Sequence, residues 1–523
     1  MSAKEKVMLC EELANEEFYW RSFASGVWML FVFPFSLILF VILYNFSLYN
    51  PLQCLQDSFT MPLSISFFLN FFVLQICCIL FTLSHAKSIE VTSEVGMKLV
   101  FSWKKLLNTL IKLISIVVCC MTYQNLIELD TSEFVDSNHF LKICWIYLSI
   151  YYTTYFYCNE EYILVFPVVQ QKKFFRLKKA IPVHIFKSFW FTIKMLKYYY
   201  LLYYVCGYML KTILVNFFAY EKDMNLSFWS TFWGIFHISL FWNCFLISFT
   251  TIFMLGISNE LVHIFNTQAY TFQIESHEKE LSIGDAMESL NSLLKNLGYM
   301  DFCILSKYSG LRRSKIFELS TPGNQPHTWN RILYQCNQVL VNEQSKLKKE
   351  HEQKSHLDVV PKNVKSELFS STDKVESLPN DKVLVSSPYK FPTFKSLTEK
   401  NVSIKKSKDN NLNIALWCIE GLCNLIAASL KEDRYGIVQK SLPEVLSNLF
   451  SLLETCEQLT QSCNLYISNS FYQQNEVLRA SQLKIAIKTG LYTITTEFGY
   501  QISGVVLAAD HKKKMFEFLE FAC

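Results

Sequence analysis

The side chains best suited to chemistry in this sequence are its cysteines, its few histidines and two lysines set in apolar runs. Cys77-Cys78 and Cys119-Cys120 are adjacent pairs inside hydrophobic stretches. Neighbours on a helix point roughly 100° apart, so they make poor pairs for a metal. No Cys-x-x-Cys pair with zinc spacing occurs. The 17 cysteines therefore read as buried, reduced thiols, and the soluble mass as facing a reducing compartment. Histidine is scarce and scattered. Ser276-His277 and Pro326-His327 lack a Cys or carboxylate partner at useful spacing, and His237, in an apolar run, reads as an interhelical packing residue. Lys112 and Lys211 also lie in apolar runs. An intramembrane charge is a functional candidate, but both lie near helix ends, where the stem can snorkel to the headgroups. There is no glycine-rich phosphate loop, GxSxG or HExxH, and only 14 glycines. That scarcity also argues against tight glycine-mediated helix packing. No catalytic residue, cofactor or metal is expected, and no small-molecule substrate.

The elements that must position these residues are mostly apolar. Hydrophobic residues make up 51% of the 523 and charged residues only 18%, concentrated in the second half. This excludes a disordered chain and suggests a membrane half followed by a soluble half. A net charge of +4 is too small to suggest direct nucleic-acid binding. Six spans are expected: 25–48, 59–83, 106–126, 140–157, 198–218 and one within 224–259. The loops after spans one, three and five are short and mostly acidic (Asp57; Glu128, Asp130, Glu133, Asp136; Glu221, Lys222, Asp223). The other two are basic: Lys87, Lys98, Lys104 and Lys105, then a run through 159–197. The positive-inside rule puts both termini in the cytoplasm.

The expected fold class is all-α, a six-helix polytopic transmembrane domain followed by a cytoplasmic or pore-facing helical domain. The organisation is a cytoplasmic segment 1–24, a membrane domain 25–259 with the basic loop 159–197, a helical region 260–343, a polar linker 344–410 and a helical domain 411–523. In the basic loop, Lys172, Lys173, Arg176, Lys178, Lys179 and Trp190 belong to a run in which cations alternate with rings. That composition suits a segment lying in the headgroup layer. In the linker, Tyr389-Lys390-Phe391-Pro392-Thr393-Phe394 reads as a spacer or a short docking motif. In the last domain, apolar faces predict helices beginning near Asn411 (as N-cap), near Pro443 and along 483–505, with Gly436 as a left-handed stop.

Four ordered blocks are familiar. ALWCIEGLCNLIAASLKEDRYGIVQKSLPEVLSNL (415–449) and LKIAIKTGLYTITTEFG (483–499) resemble the C-terminal blocks of the nuclear division cycle family of transmembrane nucleoporins. Phe166-Pro167-Val168-Val169-Gln170-Gln171 with its basic sequel is similar to that family's stretch between spans four and five. LSKYSGLRRSKIFELSTPGNQPHTWN (305–330) is similar to the block after its last span. The resemblance implies a pore-membrane scaffold of the nuclear envelope that anchors the nuclear pore complex and helps assemble it. It also implies recruitment of soluble nucleoporins through the C-terminal half, namely a WD-repeat one (aladin) and the inner-ring linker nucleoporin with an RNA-recognition fold. Glu432, Asp433, Arg434 and Tyr435 lie in a matching block at a helix end, as a capped turn or as part of a docking surface. An endomembrane transporter or channel is the alternative, and a lipid-modifying enzyme a third reading.

Overall fold

The computed structural model describes residues 3–45, 58, 64–89, 91, 103–126, 137–218, 238–275, 281–319, 323, 325–358, 396–464 and 471–522. The three acidic loops, Lys98, Lys222, His237, Ser276-His277 and the aromatic patch 389–394 lie outside these residues. The described part is all-α, with no β-strand among the described residues. The chain forms two compact units, one of residues 11–268 with 399–407, the other of 1–10, 269–398 and 408–523.

The membrane-type unit contains α1 (Ala3–Asn45), α2 (Ile65–Ala86), α3 (Trp103–Leu126), α4 (Ser137–Cys158), α5 (Lys173–Phe218) and α6 (Ile238–Asn266). Helices 10–45, 65–86, 105–126 and 238–266 are long and apolar enough to cross a membrane and match expected spans one, two, three and six. The chain is thus an all-α polytopic membrane protein. α4 and α5 are long enough to cross, but are richer in Tyr and Lys. Each helix keeps one face on a shared core of Phe33, Phe40, Leu74, Tyr123, Trp145, Leu148, Tyr199 and Ile247. The outward faces are also apolar: Phe31, Phe35 and Ile38 on α1, and Ile65, Leu69 and Phe72 on α2, are exposed. A surface of this kind is suited to lipid.

Two helices are longer than the sequence pattern suggested. α1 continues the N-terminal segment into the first span without a break. The stretch expected as a basic loop is helical from Lys173 onward, one helix of 46 residues with Pro182 inside it. Its register is fixed by an aromatic ladder along α4. Phe140 meets Tyr199 (5.1 Å) and Tyr203 (4.8 Å), Tyr151 meets Phe191 (5.2 Å), and Tyr155 meets Phe191 (4.8 Å). The part of α5 lying beside α4 is therefore about 184–204, more than ten residues ahead of the expected span 198–218. The expected span 198–218 is helical throughout, as the last part of α5.

The second unit contains α7 (Ile283–Glu288), α8 (Ser292–Tyr308), α9 (Gly310–Ile316), α10 (His327–Asp358), α11 (Ser396–Glu432), α12 (Ile437–Asn464), α13 (Phe471–Phe498), a 3-10 turn (Gly499–Gly504) and α14 (Ala509–Ala522). Ser282 and Asp285 form a reciprocal capping box on α7. Gly436 has φ +64°, the left-handed stop expected between α11 and α12. Asn411 is not a cap, because α11 already begins at Ser396, and Pro443 lies inside α12, which begins at Ile437. Lys- and Glu-rich sequence at 344–358, read as linker, continues α10. Such residues favour a helix as readily as they favour water.

α11 is apolar enough at 410–432 to resemble a membrane span, yet it is buried on nearly every side within protein. A helix that is hydrophobic all round belongs in a core or a bilayer. Here neighbouring helices enclose it. The Gly421 Cα faces the Phe302 ring of α8, where an added Cβ would lie 2.4 Å from Cε1. Gly490 of α13 meets Cys423 as closely, at 2.4 Å from Sγ. Cys418 donates to the Cys336 carbonyl of α10 (3.6 Å). The few glycines thus do serve close helix packing, against the sequence expectation. Helices from 283–349 and 410–522 accordingly share one core. Gly421→Ala should overpack this contact and destabilise the protein by about 1–3 kcal/mol, whereas Gly504→Ala, with open space around it, should not. Thermal unfolding of the full chain in detergent, followed by tryptophan fluorescence, checks this; equal midpoints for the two variants would contradict the packing.

Candidate functional site

One end of the first unit is held together by polar side chains where the C-termini of α2, α4 and α6 meet the N-terminal parts of α3 and α5. His85 donates from Nε2 to Asn259 Oδ1 (2.5 Å), and Asn259 Nδ2 donates to Glu161 Oε2 (3.2 Å). His263 donates to the Glu161 carbonyl (3.0 Å), and Lys187 pairs with the Glu161 carboxylate. Just before it, Glu160 adopts φ +50°, a left-handed conformation that costs a non-glycine residue about 1–2 kcal/mol. This turn brings Glu161 back among the helix ends. His184 reaches Glu260 (3.5 Å) across Gly256, where an added Cβ would lie 2.9 Å from the ring. A cavity of about 20 Å³ between Tyr152, Glu161, His184 and Gly256 has room for about one water. Lys112 does not snorkel: only 2% exposed, its Nζ donates to Ser88 Oγ (2.5 Å) and lies 4.2 Å from the Phe156 ring centre. The side chain of Lys211 lies outside the described set. Sequence reasoning missed Glu161; the available signal was a pair of acids, Glu160-Glu161, opening an otherwise basic segment.

The six interface candidates divide in two. Arg176 donates to Thr267 Oγ1 (2.8 Å), and Lys173 Nζ sits 4.2 Å from the Phe265 ring centre, so both are turned onto the end of α6. Burial and the nearby Arg21 pull the Lys173 ammonium down from its ordinary value. Arg21 itself donates to the carbonyls of Asn266 (3.3 Å) and Gln268 (2.7 Å), satisfying the C-terminus of α6. Lys172, Lys178, Lys179 and Trp190 are exposed, in company with Phe174, Phe175, Val183 and Phe186. Further along α5, Lys194 and Lys197 are exposed beside the middle of α4. A lysine at the centre of a bilayer costs about 2.5–3.5 kcal/mol or more unless it finds a partner or water.

The turn between α11 and α12 divides in the same way. Glu432 takes a two-pronged pair from Arg313 (2.6 and 3.0 Å), tying α9 to α11. Its carboxylate, through the hydrogen bond, raises the Arg313 guanidinium further. Asp433 accepts from the backbone N–H of Tyr435 (3.1 Å) and of Val438 (2.9 Å), capping α12. Arg434 and Tyr435 remain exposed, Tyr435 by 60%. The cysteines are buried for the most part and form no disulfide among the described residues. Burial pushes the Cys456 thiol up to about 12.

A polytopic helical membrane unit joined to an all-helical unit, with basic and aromatic surface on α5, is the architecture of a helical membrane protein. The family model described as "Nucleoporin protein Ndc1-Nup" matches residues 17–413 and 392–515, and the chain belongs to that family. It is 24% identical over 655 residues to nucleoporin NDC1 of Xenopus laevis, covering 96% of this chain and 98% of that protein. Human nucleoporin NDC1 is 23% identical over 653 residues, covering 96% of each. Nucleoporin ndc-1 of Caenorhabditis elegans is 23% identical over 309 residues, covering 53% of this chain and 51% of that protein. The chain is thus a multi-pass membrane nucleoporin, with a structural role in the nuclear pore membrane. Nothing here favours the transporter alternative.

The turn's internal bonds give a direct test. Glu432→Arg should destabilise the second unit by about 2 kcal/mol through loss of its charged hydrogen bonds, and Arg313→Glu in the same chain should restore most of that. A double-mutant cycle on thermal midpoints checks the coupling; additive losses would contradict the pair.

Proposed function

We propose that this chain anchors the nuclear pore complex in the nuclear envelope and recruits soluble nucleoporins from its C-terminal half. It crosses the membrane six times, with the fifth crossing at about 184–204, and both termini face the cytoplasmic or pore side. The exposed cations Lys172, Lys178 and Lys179, with Phe174 and Phe175, rest in the headgroup layer on that side. Arg434 and Tyr435 belong to a docking surface for a soluble nucleoporin, of the aladin type or of the inner-ring linker type. The role requires no catalysis. The observation that carries this reading is family membership along nearly the whole chain, supported by the separation of an apolar helical unit from a well-packed helical one.

Removing the chain from cells should lower the number of pores and disperse soluble nucleoporins from the nuclear rim, and the wild-type chain should restore both. A chain carrying Arg434→Glu and Tyr435→Ala should insert and reach the rim but recruit less soluble partner. Normal pore numbers without the chain would remove the anchoring role. Full recruitment by the double variant would remove the turn from the docking surface.

A further inference from the structure

α5 carries a stripe with no partner among the described residues. Val183, Phe186, Trp190, Lys194, Lys197 and Leu201 follow one another at spacings of three and four, so they share one helix face. All six are exposed, Phe186 by 68% and Trp190 by 67%. The opposite face, with Phe191, Met195 and Tyr199, is buried against α4 and α6. This spacing is the seam that a second helix needs for ridge-into-groove packing. Apolar side chains close the stripe at both ends, and the two lysines occupy its middle.

Depth gives those lysines their meaning, and this step rests on the proposed six-crossing topology. α4 has 22 residues, about 33 Å of helix, close to the thickness of the hydrocarbon layer. Along it, Lys187 lies near Tyr155 and Glu161, and Tyr203 lies near Phe140. Lys194 falls between these two levels, beside the middle of α4. From there a lysine stem is too short to reach either headgroup layer. Lys194 and Lys197 form no ion pair among the described residues, in contrast to Lys187, which has Glu161.

From this geometry we infer that the stripe is a docking face for a membrane helix of another protein that carries a carboxylate near its middle. Opposite charge in the hydrocarbon layer supplies the attraction, and the flanking apolar side chains supply the packing. A second copy of this chain cannot be the partner. No Asp or Glu occurs in 21–56, 58–89, 103–126, 137–158, 162–220 or 224–259, so none of its crossings offers a carboxylate at that depth.

The test uses the full chain reconstituted in vesicles with a synthetic leucine-rich membrane helix bearing one central Glu, Gln or Lys. Association is read by energy transfer between labels. The Glu helix should associate about tenfold more than the Gln helix, and Lys194→Leu with Lys197→Leu should abolish the difference. Lys194→Glu with Lys197→Glu should switch the preference to the Lys helix. Equal association of the Glu and Gln helices, or a preference that survives the leucine variants, overturns the inference. A separate reading tests the depth. If Lys194→Cys is labelled by a membrane-impermeant maleimide from either side, the placement of the fifth crossing fails, and the inference fails with it. If it is shielded while the helices show no preference, the topology stands and the partner inference alone falls.

Discussion

A helix inside a bilayer must satisfy its polar groups within protein, and in this chain that constraint converges on Glu161. Its carboxylate receives Asn259 and Lys187, its carbonyl receives His263, and Asn259 in turn receives His85. Four elements, α2, α5, α6 and the turn after α4, are thereby fixed at one level. The rest of the membrane unit follows from it. α5 is held where its aromatic side can run along α4, and α6 ends where Arg21, Gln170 and Arg176 can meet its last turn and the residues just beyond it. The strained turn at Glu160 is the local cost of that arrangement.

The second unit solves the opposite problem. α11 has the composition of a membrane span, yet protein covers it on nearly every side. Close approach of α8 and α13 at Gly421 and Gly490 makes this possible, and ion pairs at the rim, such as Arg313–Glu432 and Lys431–Glu497, fix the order of the helices. Arg434 and Tyr435 stay exposed at one turn of this unit, as Lys172, Lys178, Lys179 and the rings of Phe174 and Phe175 do on the other.

Much of this was legible in the sequence. Long apolar runs, broken by a charge only at Lys112 of α3, marked α1, α2, α3 and α6, because length and hydropathy largely define a crossing. Gly436 marked the stop between α11 and α12, because only a positive φ closes that turn easily. Three things were not legible, each for a physical reason. The register of α5 depends on ring contacts with α4, residues remote in sequence. The helical extensions at 344–358 and 396–410 carry polar residues that suit helix and linker alike. The turn at Glu432 and Asp433 read as a capped turn or a docking surface, and Asp433 does cap α12, but the partner of Glu432, Arg313 across the fold, appears only once the chain is folded.

The most direct measurement is where the C-terminus lies in a cell. A C-terminal tag on the full chain is stained after the plasma membrane alone has been permeabilised, with the nuclear envelope left sealed. The account predicts punctate labelling of the nuclear rim, coincident with pores and reached by antibody from the cytosol. Labelling that appears only after the nuclear membranes are opened, or that spreads through the reticulum without pore coincidence, would contradict it.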